Sequence, residues 1–127
     1  MVDTLHFKSH EFACPCCGLV AIHQSTVDLL ERARCMTSVP FHITSGTRCE
    51  RHNIEVGGVG ASPHILRDGH SYAADISVTS SRDRYKILKA LLLVGFNRIG
   101  IGPNFLHVDN DPSKDDMVIW TYFREEE

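Results

Sequence analysis

Three polar side chains interrupt stretches that otherwise read as apolar or as tight turns. Asp75 lies within Ala73-Ala74-Asp75-Ile76-Ser77-Val78, His107 breaks Phe105-Leu106-His107-Val108, and His64 follows Ser62-Pro63 at the edge of a long loop. Burying a carboxylate without a cation or several donors is costly, so Asp75 needs a positive partner. An aspartate and a histidine on neighbouring short strands, joined by a loop histidine, could form a His64, Asp75, His107 ligand set for zinc. Three protein ligands leave a fourth position for water, which is the arrangement of a catalytic zinc site. Zinc held in this way acidifies water and polarises a carbonyl, so the chemistry expected is hydrolysis of an amide or ester. Residue types alone leave plainer readings open, a satisfied core histidine and an aspartate that caps a turn or pairs with a cation.

The elements that must carry these residues follow from periodicity. Residues 1–22 read as irregular, punctuated by Pro15 and Gly18. A helix is predicted over 25–37, with Val27, Leu30, Ala33 and Met36 on one face and Ser25 with Asp28 as a capping pair. A strand is predicted over 41–44, then a polar, glycine-rich loop over 45–72 that should wall the site, because long loops in small domains are usually functional. A buried strand over 73–78 precedes a second helix over 81–94, started by Ser80 with Asp83 and stopped by Gly95. Strands over 97–101, 105–109 and 118–122 complete the pattern. The fold class expected is α+β, a small antiparallel sheet packed with helices, in one domain spanning 1–127.

Composition excludes several function classes. The chain has 127 residues, 43% apolar and 23% charged, with a net charge of −3, so neither disorder nor a basic nucleic-acid surface is expected. No apolar run is long enough for a membrane span. The first residues lack the basic-then-apolar pattern of a secretory signal, so synthesis in the cytoplasm is expected, with any action in the periplasm or cell wall following release by other means. A monomer is expected. Five cysteines, Cys14, Cys16, Cys17, Cys35 and Cys49, argue against a disulfide framework. Cys14 and Cys17 have C-x2-C spacing and could hold a second, structural zinc with Cys35 or Cys49. The alternative is burial as small apolar side chains with some thiols exposed.

The blocks SGTRCERHNIEVGG, SPH, AADI, GFNRIGIG, FLHVD and VIW occur in that order and cover about 7–120. Together they resemble the D-Ala-D-Ala carboxypeptidase-like zinc peptidases, which share a fold with the Hedgehog signalling domain. The resemblance implies that zinc is bound by His64, Asp75 and His107. It also implies action on peptidoglycan stem peptides as carboxypeptidase or endopeptidase, as in many phage endolysins. Arg48 falls in the block similar to the family's S-G-Y-R, whose arginine binds or polarises substrate; a planar guanidinium fork suits that role. A surface pairing of Arg48 with Glu50 or Glu55 is the plainer reading. Ser62 either hydrogen-bonds substrate or caps the turn before Pro63.

The sequence departs from the family pattern in three places. Thr47 replaces the usual tyrosine. The interval between His64 and Asp75 is longer than usual, so Ile65-Leu66-Arg67-Asp68-Gly69-His70-Ser71-Tyr72 contains an insertion, and His70 within it competes as a ligand. Asn104 stands where many relatives have an acid three residues before the last zinc histidine. An amide takes no proton from water, so the general base must come from elsewhere. Asp109, on the same strand face as His107, is the nearest carboxylate, although it could instead orient His107; Asp68 and His70 follow. Two further functions compete with the peptidase: a non-catalytic metal-containing binding module, supported by Asn104, and a cysteine-based redox or metal-storage protein.

Overall fold

The computed structural model describes residues 2–58, 60 and 62–122. After a short 3-10 turn at Ser9–Phe12, the chain forms α1 (Gln24–Cys35), β1 (His42–Ser45), α2 (Glu50–Glu55), β2 (Ala73–Ser77), α3 (Ser81–Leu93), β3 (Arg98–Ile101), β4 (Phe105–Asp109) and β5 (Val118–Thr121). The α+β class is as expected, but the sheet is mixed. Its order is β1-β2-β4-β3-β5, antiparallel throughout except for β5, which runs parallel to β3. The reason lies in the turn-rich segment after Asp109. It carries the chain past β3 to the far side of the hairpin, so β5 reverses relative to β4 and runs with β3. A further difference is α2, a six-residue helix inside the stretch read as loop.

Side-chain alternation gives the sheet two unlike faces. Ala74, Ile76, Ile99, Leu106 and Val108 are fully buried on one face, where Val27, Leu30 and Ala33 of α1 and Ile87, Ala90 and Leu91 of α3 cover them. Phe7, Phe12, Phe41 and Phe96 close the edges of this core. Met36 lies outside it, exposed just beyond the end of α1. The cap of α1 is also shifted: His23 accepts from Ser25 N, while Ser25 Oγ bonds the His23 ring and Asn110. The start of α3 is as read, with Ser80 Oγ accepting from Asp83 N, and Gly95 ends it at φ +106°.

The opposite face carries the polar intrusions in rows set by register. Asp75 faces His107, His107 faces Gly100, and Gly100 faces Trp120, forming one row across four strands. The next row holds Ala73, Asp109, Arg98 and Val118. Directly opposed residues have Cβ atoms about 5 Å apart, so the pairing alone brings Asp75 and His107 together. Gly100 is needed for space, because a Cβ there would lie 2.6 Å from Trp120 Nε1 and from Tyr122 Cε2.

Candidate metal centre

His64 reaches the Asp75–His107 row from a loop that is tied at several points. Arg48 N donates to His64 O at 2.8 Å, His64 N to Ser62 Oγ at 3.2 Å, and Tyr72 N to Pro63 O at 3.0 Å. This last bond closes the base of the inserted loop, so residues 65–70 bulge outward without separating His64 from Asp75. The bulge is itself anchored: Ser71 N donates to Ala21 O, His23 N to Ser71 O, and Thr47 Oγ1 lies 3.0 Å from Ser71 Oγ. Thr47, where a tyrosine is usual, is thus buried as a tie between loops. The His70 ring packs edge-on to His23 at 4.9 Å, and neither His70 nor Asp68 lines the pocket over the three donors.

The three donors converge. His64 Nε2 is 3.2 Å from His107 Nδ1 and 3.3 Å from Asp75 Oδ1, and His107 Nδ1 is 3.0 Å from Asp75 Oδ1. Ligands about 2.0–2.1 Å from a tetrahedral zinc stand about 3.3 Å apart, so one ion fits the three atoms. The opposite ring nitrogens are fixed from behind. His64 Nδ1 is 2.7 Å from the Gly46 carbonyl, and His107 Nε2 is 2.7 Å from Asp109 Oδ2. Each contact holds a proton on the outer nitrogen and leaves the inner one free to coordinate, as metal-binding histidines require. Gly46 is pressed against Phe12, where a Cβ would lie 2.7 Å from Phe12 Cα, so its carbonyl position is set by the core.

Electrostatics agree with a cation site. Burial works against charge on Asp75, but hydrogen bonds from His107 and His64 outweigh it and hold the carboxyl well below its usual range. Burial pushes the fully enclosed His64 imidazole down, toward its neutral form. Burial also opposes charge on His107, but Asp109 and Asp75 prevail and raise it. The pocket therefore favours one positive charge beside His107, and a metal ion would take the place of that proton.

Arg48 and Asp109 complete the surroundings. Arg48 donates to the other Asp75 oxygen at 3.4 Å, to Ser45 Oγ at 3.2 Å and to Asn53 Oδ1 at 3.3 Å. Of the alternative partners Glu50 and Glu55, Glu55 pairs instead with Arg51. Asp109 is fully buried behind His107. Its Oδ2 serves the ring, while its Oδ1 accepts from Arg98 Nε at 2.7 Å and from Asp111 N at 3.2 Å. Arg98 also lies under the Trp120 ring, 5.1 Å from its centroid. The sequence signal at Arg98 is only that of a cation within a short apolar strand, and its pairing with Asp109 is set by the β3–β4 register. Trp120 on β5 and Tyr122 just beyond its end carry a signal as well, aromatics two residues apart.

The donors open into a cavity of about 480 Å³, walled by Arg48, Ser62, Arg98, Phe105, Lys114, Trp120 and Tyr122. The chain matches the family model described as Peptidase M15 over residues 5–109, most of its length, and it belongs to the Peptidase M15 family. That places it among the peptidases, a hydrolase family that uses zinc. No curated protein matches the chain. No helix among the described residues is long and apolar enough to cross a membrane.

Proposed function

We propose that this protein is a zinc peptidase of peptidoglycan stem peptides, a D,D-carboxypeptidase or L,D/D,D-endopeptidase of the kind found in phage endolysins, on a fold of the Hedgehog/DD-peptidase type. The observation that carries this reading is the convergence of His64, Asp75 and His107 within 3.3 Å at the floor of an open cavity beside Arg48. When bound, zinc supplies a Lewis acid for the scissile carbonyl and for water. The protein's own groups do the rest. The Gly46 carbonyl and the Asp109 carboxylate keep both imidazoles in the coordinating tautomer. Arg48, braced by Asp75, Ser45 and Asn53, presents its remaining N–H groups to a substrate carbonyl or terminal carboxylate. Phe105, Trp120 and Tyr122 form an apolar wall for the rest of the peptide. Asp109 is a positioning residue in this reading, because both of its oxygens are already engaged. Ser62 caps the turn that delivers His64.

The test is chromatography and mass spectrometry of purified peptidoglycan and stem peptides incubated with the zinc-loaded protein. Release of D-alanine or of shortened stem peptides is expected, and His64→Ala should abolish it. Intact peptides with fully zinc-loaded wild type, under conditions where a known family member cleaves them, would sink the peptidase reading. A second reading, a metal-containing binding module without turnover, draws on one specific observation. Asp75 is the only carboxylate among the described residues lining the cavity. Stem-peptide binding without cleavage would favour it.

A further inference from the structure

Cys14, Cys16, Cys17 and Cys49 meet at a place the peptidase chemistry does not use. Their sulfur atoms all lie within 4.8 Å of one another. Cys14 Sγ is 3.5 Å from Cys16 Sγ and 3.7 Å from Cys49 Sγ, and Cys16 Sγ is 3.1 Å from Cys49 Sγ. A disulfide would bring one pair to about 2.05 Å and leave the others apart. Four thiolates about 2.3 Å from a tetrahedral ion stand about 3.8 Å from one another, close to the spacing seen. The backbone is shaped for the same purpose. Cys14 to Gly18 form a tight knuckle in which Gly18 N donates to Cys14 O at 2.7 Å, with Gly18 at φ +77°. Two amides already point at sulfur: Cys49 N at Cys14 Sγ, 3.5 Å, and His52 N at Cys49 Sγ, 3.4 Å. Cys35 takes no part, donating instead to Glu31.

We propose that Cys14, Cys16, Cys17 and Cys49 form a second, structural metal centre, a closed tetrathiolate for a thiophilic divalent cation, with zinc as the ion. Soft sulfur donors select zinc over magnesium or calcium, and four protein ligands leave no open position for catalysis. On binding, each thiol that coordinates releases its proton to solvent, so no oxidant is needed. The ion clips the N-terminal loop to Cys49, which caps α2 and directly follows Arg48. A six-residue helix has little stability of its own, so this cross-link fixes the segment that aims Arg48 into the cavity.

Metal content reports on this centre independently of peptidase activity. Protein purified under reducing conditions and loaded with zinc should hold two ions per chain by elemental analysis. His64→Ala/Asp75→Ala should hold one, and Cys49→Ser should lose the other. In the cobalt-substituted protein, sulfur-to-cobalt charge-transfer bands should persist in His64→Ala/Asp75→Ala and vanish in Cys49→Ser. If the cysteine variant fails to fold, the cobalt spectrum of the His64→Ala/Asp75→Ala protein decides alone. A single ion per wild-type chain, a cobalt spectrum without sulfur bands, or a Cys16–Cys49 disulfide in protein whose thiols were blocked on isolation would overturn the proposal.

Discussion

Asp109→Asn separates an orienting role from a basic one. Asp109 Oδ2 sits 2.7 Å from His107 Nε2, and Oδ1 sits 2.7 Å from Arg98 Nε, with no exposed surface. Asparagine offers one acceptor where two are needed, so its amide nitrogen must face either the His107 N–H or the Arg98 guanidinium. Losing one charge-assisted hydrogen bond at such a site costs about 1.5–3 kcal/mol. If the loss falls on His107, the imidazole is a poorer and less fixed ligand, and zinc affinity should drop about 10–100-fold. Competition against a chromogenic chelator measures the affinity, with circular dichroism to show that the variant is folded. Turnover at saturating zinc should fall by no more than about the same factor, whereas loss of a general base costs about 10²–10⁴-fold. Unchanged zinc affinity with turnover reduced more than about a thousandfold would refute the orienting role and return Asp109 to the base.

Three further outcomes are expected. Arg48→Lys should lower kcat/KM on stem peptides by about 10–100-fold while zinc content stays at the wild-type level, because a point charge replaces the planar fork; unchanged kinetics would remove Arg48 from substrate binding. Glu31 resists its burial through hydrogen bonds from His6 and Cys35, which bring its carboxyl down to about 2. A depressed carboxyl contributes stability above its ordinary value, about 4.5, that is lost as pH falls toward the folded value, at most about 3 kcal/mol. Urea midpoints of wild type and Glu31→Gln should therefore differ at pH 5 and converge toward pH 2, and parallel curves would contradict this. Ser80→Ala, which removes an exposed cap from α3, should cost about 1 kcal/mol in urea unfolding and leave zinc binding unchanged.

Two of the three candidate metal ligands were legible because each violated its surroundings. A carboxylate in Ala73-Ala74-Asp75-Ile76 and an imidazole in Phe105-Leu106-His107-Val108 need a reason, and strand alternation placed them on one face. The two long helices, α1 and α3, were legible from their periodicity, and β4 to the residue. What escaped was set by contacts distant in sequence. The inserted loop hid its harmlessness in the Tyr72 N–Pro63 O bond, which no local pattern announces. The parallel seating of β5 depends on which edge of the hairpin it reaches, and α2 is too short to show a period. The second partner of Asp109, Arg98, is its neighbour only through the β3–β4 register.

Gly100 gives the pocket a constraint of an unusual kind. In the row from Asp75 to Trp120 it is the one member without a side chain, and the Trp120 and Tyr122 rings occupy the space that a Cβ would take. A survey of tolerated substitutions should therefore mark Gly100 as intolerant as the histidines, although it has no functional group to lose. Variation in this row is open to Trp120 and Tyr122, which fill the space, and closed to Gly100, which has no smaller residue to become and no room for a larger one.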